Sequence, residues 1–328
     1  MKIYIFFFCL IYNLSNGQNC GCTDLLAKNY NANATVNDGS CNYKKTKIKP
    51  EFSTKISDSI KETSGLIAFD SLLWTHNDDH DTTLYGMDTL GKIRKKIALN
   101  HVKNQDWEEI SQDQNYIYIG DFGNNYRGNR RDLQILKINK NSFNSQKQLI
   151  DTIAFSYKDQ TDFNTQKSNS TNFDCEAFIV LPDSIYLFTK EWKNKKTTIY
   201  SIPNTTGTHV AQKKTTLDTH GLITGATYLP SQKIIALCGY SKKAKPFIYL
   251  LYDFKNTDFL SGNKRKIQLK LPFHQIEGIA TTDGIHYYLT NEELKRKPIL
   301  NVSQKLHKVN LSPLLSHYLQ KNIKLLLK

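Results

Sequence analysis

The hydrophobic and polar positions along the chain follow one pattern that recurs five times. Each copy has a small or acidic residue, a short apolar strand, a turn and a second strand of strong β-propensity. A third strand candidate follows every copy, and a fourth follows four of them. The copies are TSGLIAFDSLLWTHND from Thr63, DWEEISQDQNYIYIGDFGNN from Asp106, DCEAFIVLPDSIYLFTKEW from Asp174, ITGATYLPSQKIIALCGY from Ile223 and IEGIATTDGIHYYLTNEE from Ile276.

Four strands repeated at a spacing of about 45–70 residues predict an all-β chain folded as a β-propeller, with five blades. The last copy lacks a fourth strand, and we expect TKIKPEFSTKIS at residues 46–57 to supply it and close the ring. A sixth blade would need a degenerate copy within residues 139–172. We interpret that stretch instead as one strand followed by a loop. Helical periodicity is confined to LLSHYLQKNIKLLL near the C-terminus.

The two ends of the chain differ from the repeats. Lys2 precedes an apolar run, Ile3 to Tyr12, and small and polar residues follow, which is typical of a secretory signal peptide. The run is too short to cross a bilayer of about 30 Å, although a short membrane anchor is the alternative. We therefore expect a secreted, periplasmic or cell-envelope protein without a transmembrane span after processing. The expected segments are a signal peptide at 1–18, a small cysteine module at 19–44, the propeller at 45–312 and a basic helix or tail at 313–328.

The small module reads GCTDLLAKNYNANATVNDGSCNY over residues 21–43. It resembles a short repeat of secreted bacterial proteins, and the resemblance implies a disulfide between Cys22 and Cys41. Four residues in the module offer oxygen ligands to calcium but are also turn formers, which is the interpretation we favour: Asp24, Asn31, Asn33 and Asp38.

Equivalent positions of the innermost strands meet at the central channel of a propeller. The residues in register are Ser64, Glu108, Glu176, Thr224 and Glu277, and all of them carry side-chain oxygen. Three carboxylates in a narrow channel repel one another, so that either protons or a cation must lie among them. Calcium tolerates such a ring of carboxylates and hydroxyls. Glutamates bonded to backbone amides around the channel would need no metal, and this alternative stays open.

The order of these channel residues resembles the calcium-activated nucleotidases, or calcium apyrases. The likeness is diffuse over roughly residues 60–295 and includes SGLIAFDSLLWTHNDDHDTTLYGMD, EEISQDQNYIYIGDFG and IEGI. It implies a central calcium held by the five residues, and hydrolysis of nucleoside di- and triphosphates at the channel mouth.

This chain departs from the nucleotidase pattern at two places. Gly123 to Tyr126 stand where the family has Gly-Lys-Glu-Trp, and Lys190, Glu191 and Trp192 replace its paired arginines. Losing arginines removes bidentate phosphate contacts. The resemblance therefore supports a metal site in this chain more strongly than it supports nucleotide hydrolysis. A weaker likeness to the regucalcin, gluconolactonase and paraoxonase propellers implies a metal that polarises an ester or lactone, but those propellers have six blades.

Loops after the second strands are expected to gather at one rim of the channel. Asp78 and Asp121 are candidates for a base that activates water. The same residue types build turns, which is the alternative interpretation. The candidates for binding a ligand are Asn77, Asn124, Asn125, Arg127, Lys190 and Asn291.

The net charge of +14 bears on the partner. The lysines are scattered, and no basic block with interleaved aromatics predicts a nucleic-acid groove. No nucleophile elbow, P-loop or zinc-spaced set occurs. We therefore expect a binding propeller with calcium in its channel and an anionic small molecule, a glycan or a protein at its mouth. The alternatives are a calcium-dependent hydrolase of nucleotides or other phosphate or carboxylic esters, and a structural envelope component.

Overall fold

The computed structural model describes residues 18–296 and 298–326, with side chains up to residue 320. The signal peptide predicted at 1–18 therefore lies outside the described residues, apart from Gln18. Residues 327–328 of the predicted tail lie outside them too. Within the described ranges, no helix combines the length and the apolar character needed to cross a membrane.

The N-terminal module is closed by a disulfide between Cys22 and Cys41, as the resemblance implied. Asp24 anchors the module to the propeller, because its Oδ2 accepts hydrogen bonds from the hydroxyls of Tyr43 and Tyr252, at 2.7 and 2.8 Å. The module contains one parallel pair of short strands, β1 (Cys20–Gly21) and β2 (Val36–Asn37).

Three of the four side chains of the module that could bind calcium are engaged in turns. The carboxylates of Asp24 and Asp38 and the amide oxygen of Asn31 each accept a hydrogen bond from the backbone amide two residues further on. This is the local bonding that Asn and Asp use to form turns. These hydrogen bonds support the turn interpretation of Asp24, Asn31 and Asp38, and for Asn33 it stays a prediction.

The described strands from Thr63 onward form five successive blades, and the outer strands of blades 2 and 3 join those two blades into one eight-stranded sheet. The strands before the first blade are β3 (Thr46–Ile48) and β4 (Phe52–Lys55). Blade 1 contains β5 (Thr63–Phe69), β6 (Leu72–Asn77), β7 (Thr83–Met87) and β8 (Ile93–Ala98). Blade 2 contains β9 (Trp107–Gln112), β10 (Tyr116–Asp121), β11 (Leu133–Asn139) and β12 (Ile150–Tyr157). Blade 3 contains β13 (Cys175–Val180), β14 (Ser184–Thr189), β15 (Thr197–Pro203) and β16 (Gly207–Leu217). Blade 4 contains β17 (Leu222–Leu229), β18 (Ile234–Tyr240), β19 (Pro246–Tyr252) and β20 (Asn263–Leu269).

The fifth blade is completed by the N-terminal part of the chain. β4 pairs antiparallel with the last strand of the blade, with Phe52 opposite Lys308 and Lys55 opposite Lys305. The innermost strands of the five blades then neighbour one another in cyclic order. The predicted closure of a five-bladed ring is therefore confirmed. The other strands of blade 5 and its inserted hairpin are β21 (Ile276–Thr281), β22 (His286–Asn291), β23 (Leu294–Arg296), β24 (Leu300–Val302) and β25 (Lys305–Asn310).

The outer edges of three blades are paired in a way that the repeat pattern did not predict. β12 of blade 2 runs parallel to β16 of blade 3, from Ile153 opposite Gly207 to Tyr157 opposite Ala211. β3 likewise pairs in parallel with β20 of blade 4. These contacts cover strand edges that would otherwise expose unpaired amides and carbonyls.

The core consists of aromatic and aliphatic side chains between adjacent blades. Between blades 1 and 2, the ring of Trp74 meets that of Phe143 edge to face, with centroids 5.0 Å apart. Between blades 2 and 3, Phe122 and Phe178 meet in the same way at 5.7 Å. The C-terminal helix α1 (Ser312–Leu326) packs its first turns on blades 4 and 5. Three short 3-10 helices lie in connections, at Asp58–Ile60, Lys140–Ser142 and Pro230–Gln232.

Candidate metal centre at the channel mouth

Each innermost strand carries a β-bulge at the same place. In β9, Glu109 lies opposite Gly120 and Trp107 lies opposite Asp121, so that Glu108 is an extra residue without a cross-strand partner. A bulge redirects the side chain of the extra residue, and bulges are common beside functional sites. The extra residues of β13, β17 and β21 are Glu176, Thr224 and Glu277, and in β5 the irregularity begins directly after Ser64.

Four of the five predicted channel residues line one cavity of about 200 Å³, which we call the acid well. They are Ser64, Glu108, Glu176 and Glu277. Four further carboxylates line the same cavity, and the only cation in its lining is Lys190. Asp78 was predicted as a base and Glu292 as a residue of the rim, and the other two acids are Glu62 and Asp106.

Two carboxylates of the well, Glu108 and Glu176, form a buried cluster with Asp174, which does not itself line the cavity. Oxygen atoms of Glu108, Asp174 and Glu176 all lie within 4.8 Å of one another, and the three residues are buried. Asp174 is oriented by two hydrogen bonds, from the indole Nε1 of Trp192 at 2.6 Å and from the backbone amide of Asn124 at 2.7 Å. Asp174 is therefore held in place by the loops around it, and Glu108 and Glu176 are the members of the cluster that line the well.

Lys190 is the counter-charge of this cluster. Its Nζ lies 2.7 Å from Oε1 of Glu176, and the residue is only 5% exposed. Burial lowers the pKa of Lys190, because it disfavours the ammonium charge. The electrostatic interactions with Glu176, and then with Tyr240 and Glu277, are stronger than this effect and raise the pKa well above its usual value. Lys190 is therefore an ammonium ion at physiological pH.

Three of the carboxylates that line the well have pKa values raised mainly by burial. Burial and then the charge of Asp174 raise the pKa of Asp106 to about 7. Burial and then Glu62 raise the pKa of Asp78 to about 7, and burial raises that of Glu277 to about 8. One lysine does not neutralise so many acids, and protons or a cation must balance the remaining charge.

Thr224 does not line the acid well. Its hydroxyl is fully buried and donates to the backbone carbonyl of Ile276 in the next blade. Ser64 makes the equivalent bond from blade 1 to blade 2, donating at 2.7 Å to the carbonyl of Glu108. Both hydroxyls thus connect neighbouring blades, and only Ser64 also faces the cavity.

A different glutamate bonds backbone amides across the channel. Glu109 is fully buried, and its carboxylate accepts hydrogen bonds from the amides of Ile110, at 3.0 Å, and of Ala226 in blade 4, at 2.6 Å. Gly65 of blade 1 makes room for it, since a Cβ there would lie 2.6 Å from Oε1 of Glu109. The metal-free arrangement considered for the channel glutamates is therefore present, but at Glu109 rather than at Glu108.

Among the residues predicted at the rim, the base candidate Asp78 and the ligand candidates Asn125 and Lys190 line the well. The remaining candidates do not line it: Asp121, Asn77, Asn124, Arg127 and Asn291. Asp121 lies 2.9 Å from the guanidinium of Arg130, which removes it from the cavity. The side chain of Asn124 accepts from the amide of Arg130 and donates to the carbonyl of Phe173. Arg127 lies over the ring of Tyr126 near the surface.

Asn77 and Asn291 are the last residues of β6 and β22, and both turn away from the cavity. The amide of Asn77 donates to the carbonyl of Ser59, and that of Asn291 donates to the carbonyl of Ser303. The residues that directly follow them, Asp78 and Glu292, line the well instead. Successive side chains of a strand point in opposite directions, so that a shift of one position exchanges the two faces.

The acids that lie two positions before the bulged residues were not predicted as site residues. Asp106 precedes Glu108, and Asp174 precedes Glu176, so that blades 2 and 3 share an Asp-x-Glu pattern. Glu62 precedes Ser64 in the same way. Residues i and i+2 of a strand share a face, and this repeated spacing was the available signal.

The donor set of the well suits a hard cation. Its described lining offers carboxylate, hydroxyl and amide oxygen, with no histidine or cysteine among the lining residues. Calcium and magnesium prefer such oxygen ligands, whereas zinc sites are usually built from histidine and cysteine.

Comparisons with known proteins identify no family. No protein-family model matches the sequence, and no curated protein matches it. The crystal structure of AofleA from Arthrobotrys oligospora is 8% identical over 79% of this chain and 90% of that chain, with a TM-score of 0.43. A chain of the mitotic checkpoint complex is 10% identical over 80% of this chain and 94% of that chain, with a TM-score of 0.40. At these scores neither likeness bears on ligand or activity, and the likeness to calcium apyrases still depends on the residues quoted for it.

Proposed function

We propose that this protein is a β-propeller that binds a divalent cation, calcium first of all, in the acid well and recognises a ligand at the channel mouth. The observation that carries the proposal is the cluster of Glu108, Asp174 and Glu176, whose oxygens lie within 4.8 Å of one another in a buried site. Ser64 and Glu277 line the acid well together with Glu108 and Glu176, and they add oxygen atoms for the ion.

Charge balance supports a divalent ion. The three clustered carboxylates face one ammonium group, Lys190, which leaves two negative charges when all are ionised. One calcium ion matches that deficit. Buried charges are costly unless they are paired or bound to metal, so the ion would stabilise the fold as well as prepare the mouth. The disulfide of the N-terminal module fits an oxidising compartment, where extracellular calcium modules bind with Kd of about 10⁻⁴–10⁻³ M.

Calcium binding can be tested by thermal denaturation and titration calorimetry of the mature protein after treatment with a chelator. Calcium at a hundred times its Kd stabilises a folded protein by about 2.7 kcal/mol, which raises the Tm by several degrees. We expect this rise in the wild-type protein and its loss in Glu176→Gln, which keeps the shape but removes one charge of the cluster.

The matched control is Glu51→Gln, which makes the same exchange at an exposed position before β4. It should keep the full response to calcium. A Glu176→Gln protein that responds like the wild type, or a wild-type protein that shows neither heat of binding nor a rise in Tm, would contradict the proposed site.

A calcium-dependent hydrolase is the second candidate, and the environment of Asp78 favours it. Asp78 lines the acid well, and its Oδ1 is shielded from solvent and has no hydrogen-bond partner among the described residues. Its pKa, raised to about 7 mainly by burial, suits a group that exchanges a proton at neutral pH. Such a carboxylate can orient and deprotonate a water molecule beside a bound ester.

Activity can be tested with nucleoside diphosphates and carboxylic esters, first with calcium and then with chelator. Turnover that the chelator abolishes and that Asp78→Asn reduces at least a hundredfold, without loss of calcium binding, would support the hydrolase. Asp183→Asn, at an exposed position in the turn between β13 and β14, serves as the control. Calcium binding without any turnover would contradict the hydrolase and favour the binding function.

A further inference from the structure

A second cavity adjoins the acid well on the side of blade 4, and we call it the basic groove. It has a volume of about 740 Å³ and is bordered by the loop after β18, by Phe273 and by the hairpin of β23 and β24. Trp192 and Tyr240 line both cavities and form the wall between them. A volume of this size accommodates a compact organic ligand.

The two cavities carry opposite charge. Among the described residues, four cations and no carboxylate line the basic groove, whereas acids dominate the lining of the well. Within the part of the chain that the structure describes, none of the four cations takes part in an ion pair. The four are Lys195, Lys242, Lys243 and Arg296. An uncompensated group of cations attracts an anion.

Flat rings stand beside these cations. The ring of Trp192 has the Nζ of Lys190 at 4.8 Å and the Nζ of Lys195 at 5.4 Å from its centroid. Phe273 is 51% exposed, although it is a large apolar residue. Its backbone has φ +65°, which is unfavourable for phenylalanine, and a hydrogen bond of 2.9 Å from its amide to the carbonyl of Ala244 holds it there.

We propose that the basic groove is the ligand-recognition subsite and takes an aromatic acid, a flat ring that carries a sulfonate, phosphate or carboxylate group. The ring would stack on Phe273 and Trp192, and the anionic group would pair with Lys242 and Lys243. Leucines line much of the remaining wall, which suits an apolar ring better than a hydroxylated sugar. This inference rests on the proposed function in one respect: it assigns a ligand to the channel mouth.

Titration calorimetry with 2-naphthalenesulfonate tests the groove, because this probe has a flat ring and a charge and cannot be hydrolysed. We expect inorganic phosphate, which lacks a ring, and 2-naphthol, which lacks a fixed charge, to bind at least tenfold more weakly. 2-Naphthyl phosphate and 2-naphthoate then show which anionic group is preferred. Inorganic phosphate binding as tightly as the naphthyl anions would overturn the assignment, as would a uronic-acid disaccharide that binds more tightly than 2-naphthoate.

Variants locate the binding site. The double substitution Lys242→Glu with Lys243→Glu should weaken binding of 2-naphthalenesulfonate at least tenfold, and Phe273→Asn should weaken it several-fold. Asparagine tolerates the positive φ of position 273, so that this change removes the ring without adding strain. Lys214→Glu, at an exposed position of β16, is the control and should have no effect. Unchanged binding by the double variant would overturn the proposal.

Glu176→Gln separates the groove from the metal site. The groove predicts that this variant still binds 2-naphthalenesulfonate even though it no longer responds to calcium. If the wild-type protein fails to bind calcium but binds the probe through Lys242 and Lys243, the metal proposal fails and the groove stands. If the probe is lost in Glu176→Gln but not in the lysine variant, the ligand lies in the acid well and the groove assignment is wrong.

Discussion

Replacing Lys190 by methionine should separate the two cations that the acid well can use. Methionine keeps most of the length of the side chain and removes its charge. In the absence of calcium, the carboxylates of Glu108, Asp174 and Glu176 then lose their only nearby counter-charge. We expect the free energy of unfolding of the calcium-free variant to fall, and its affinity for calcium to rise, because an ammonium group no longer competes for the same oxygens.

The magnitude follows from the geometry of the pair. At the 2.7 Å that separates Nζ of Lys190 from Oε1 of Glu176, Coulomb attraction with an effective dielectric constant of about 20 amounts to about 6 kcal/mol. Removing one partner of a buried ion pair costs about 3–5 kcal/mol in measured cases. We therefore expect Lys190→Met to lose about 3–5 kcal/mol without calcium at pH 7.5, and to bind calcium at least tenfold more tightly, about 1.4 kcal/mol.

The assay is urea denaturation of the wild type, Lys190→Met and the exposed control Lys214→Met, each with chelator and with saturating calcium. Calcium should restore more stability to Lys190→Met than it adds to the wild type, and Lys214→Met should follow the wild type. Equal stability of Lys190→Met and wild type in chelator would refute the electrostatic reasoning. An equal gain from calcium in both would show that Lys190 and the ion do not share the cluster.

Three further predictions concern stability. Because the pKa values of Asp78, Asp106 and Glu277 are raised, the folded protein holds protons that the unfolded chain releases. The stability of the calcium-free protein should therefore fall as pH rises from about 5 to about 8. A Tm that rises over this range would contradict this prediction. Glu109→Ala leaves two buried amides unpaired and should cost about 2–5 kcal/mol in urea denaturation, whereas a loss below 1 kcal/mol would deny its role between blades. Deleting residues up to 57 removes β4 and opens the ring, so that thermal unfolding should lose its cooperativity; an unchanged Tm would refute closure.

The architecture was predictable because each blade repeats one local pattern. Two strands with a turn between them can be predicted from short stretches such as the one that begins at Asp174. Closure of the ring could be predicted because the last copy lacks a fourth strand and a strand candidate precedes the first copy. The parallel pairing of β12 with β16 was not predictable, because it joins outer strands of different blades and leaves no periodic signal.

The site was predictable in position but not in full composition. The shared register identified Glu108, Glu176 and Glu277, and the bulges that direct them into the well are a property of the folded sheet. The role of Glu109 could not be separated from that of Glu108 in sequence, since neighbouring glutamates point to opposite faces. Asp174 was quoted only as the start of a copy, although its spacing to Glu176 repeats that of blade 2.

Anomalous scattering from a crystal of the protein grown with calcium would test the central claim most directly. The account predicts one ion in the acid well, 2.3–2.6 Å from oxygens of Glu108, Asp174 and Glu176, as calcium–oxygen distances require. A well without an anomalous peak, in which the Nζ of Lys190 alone bridges the carboxylates, would contradict it.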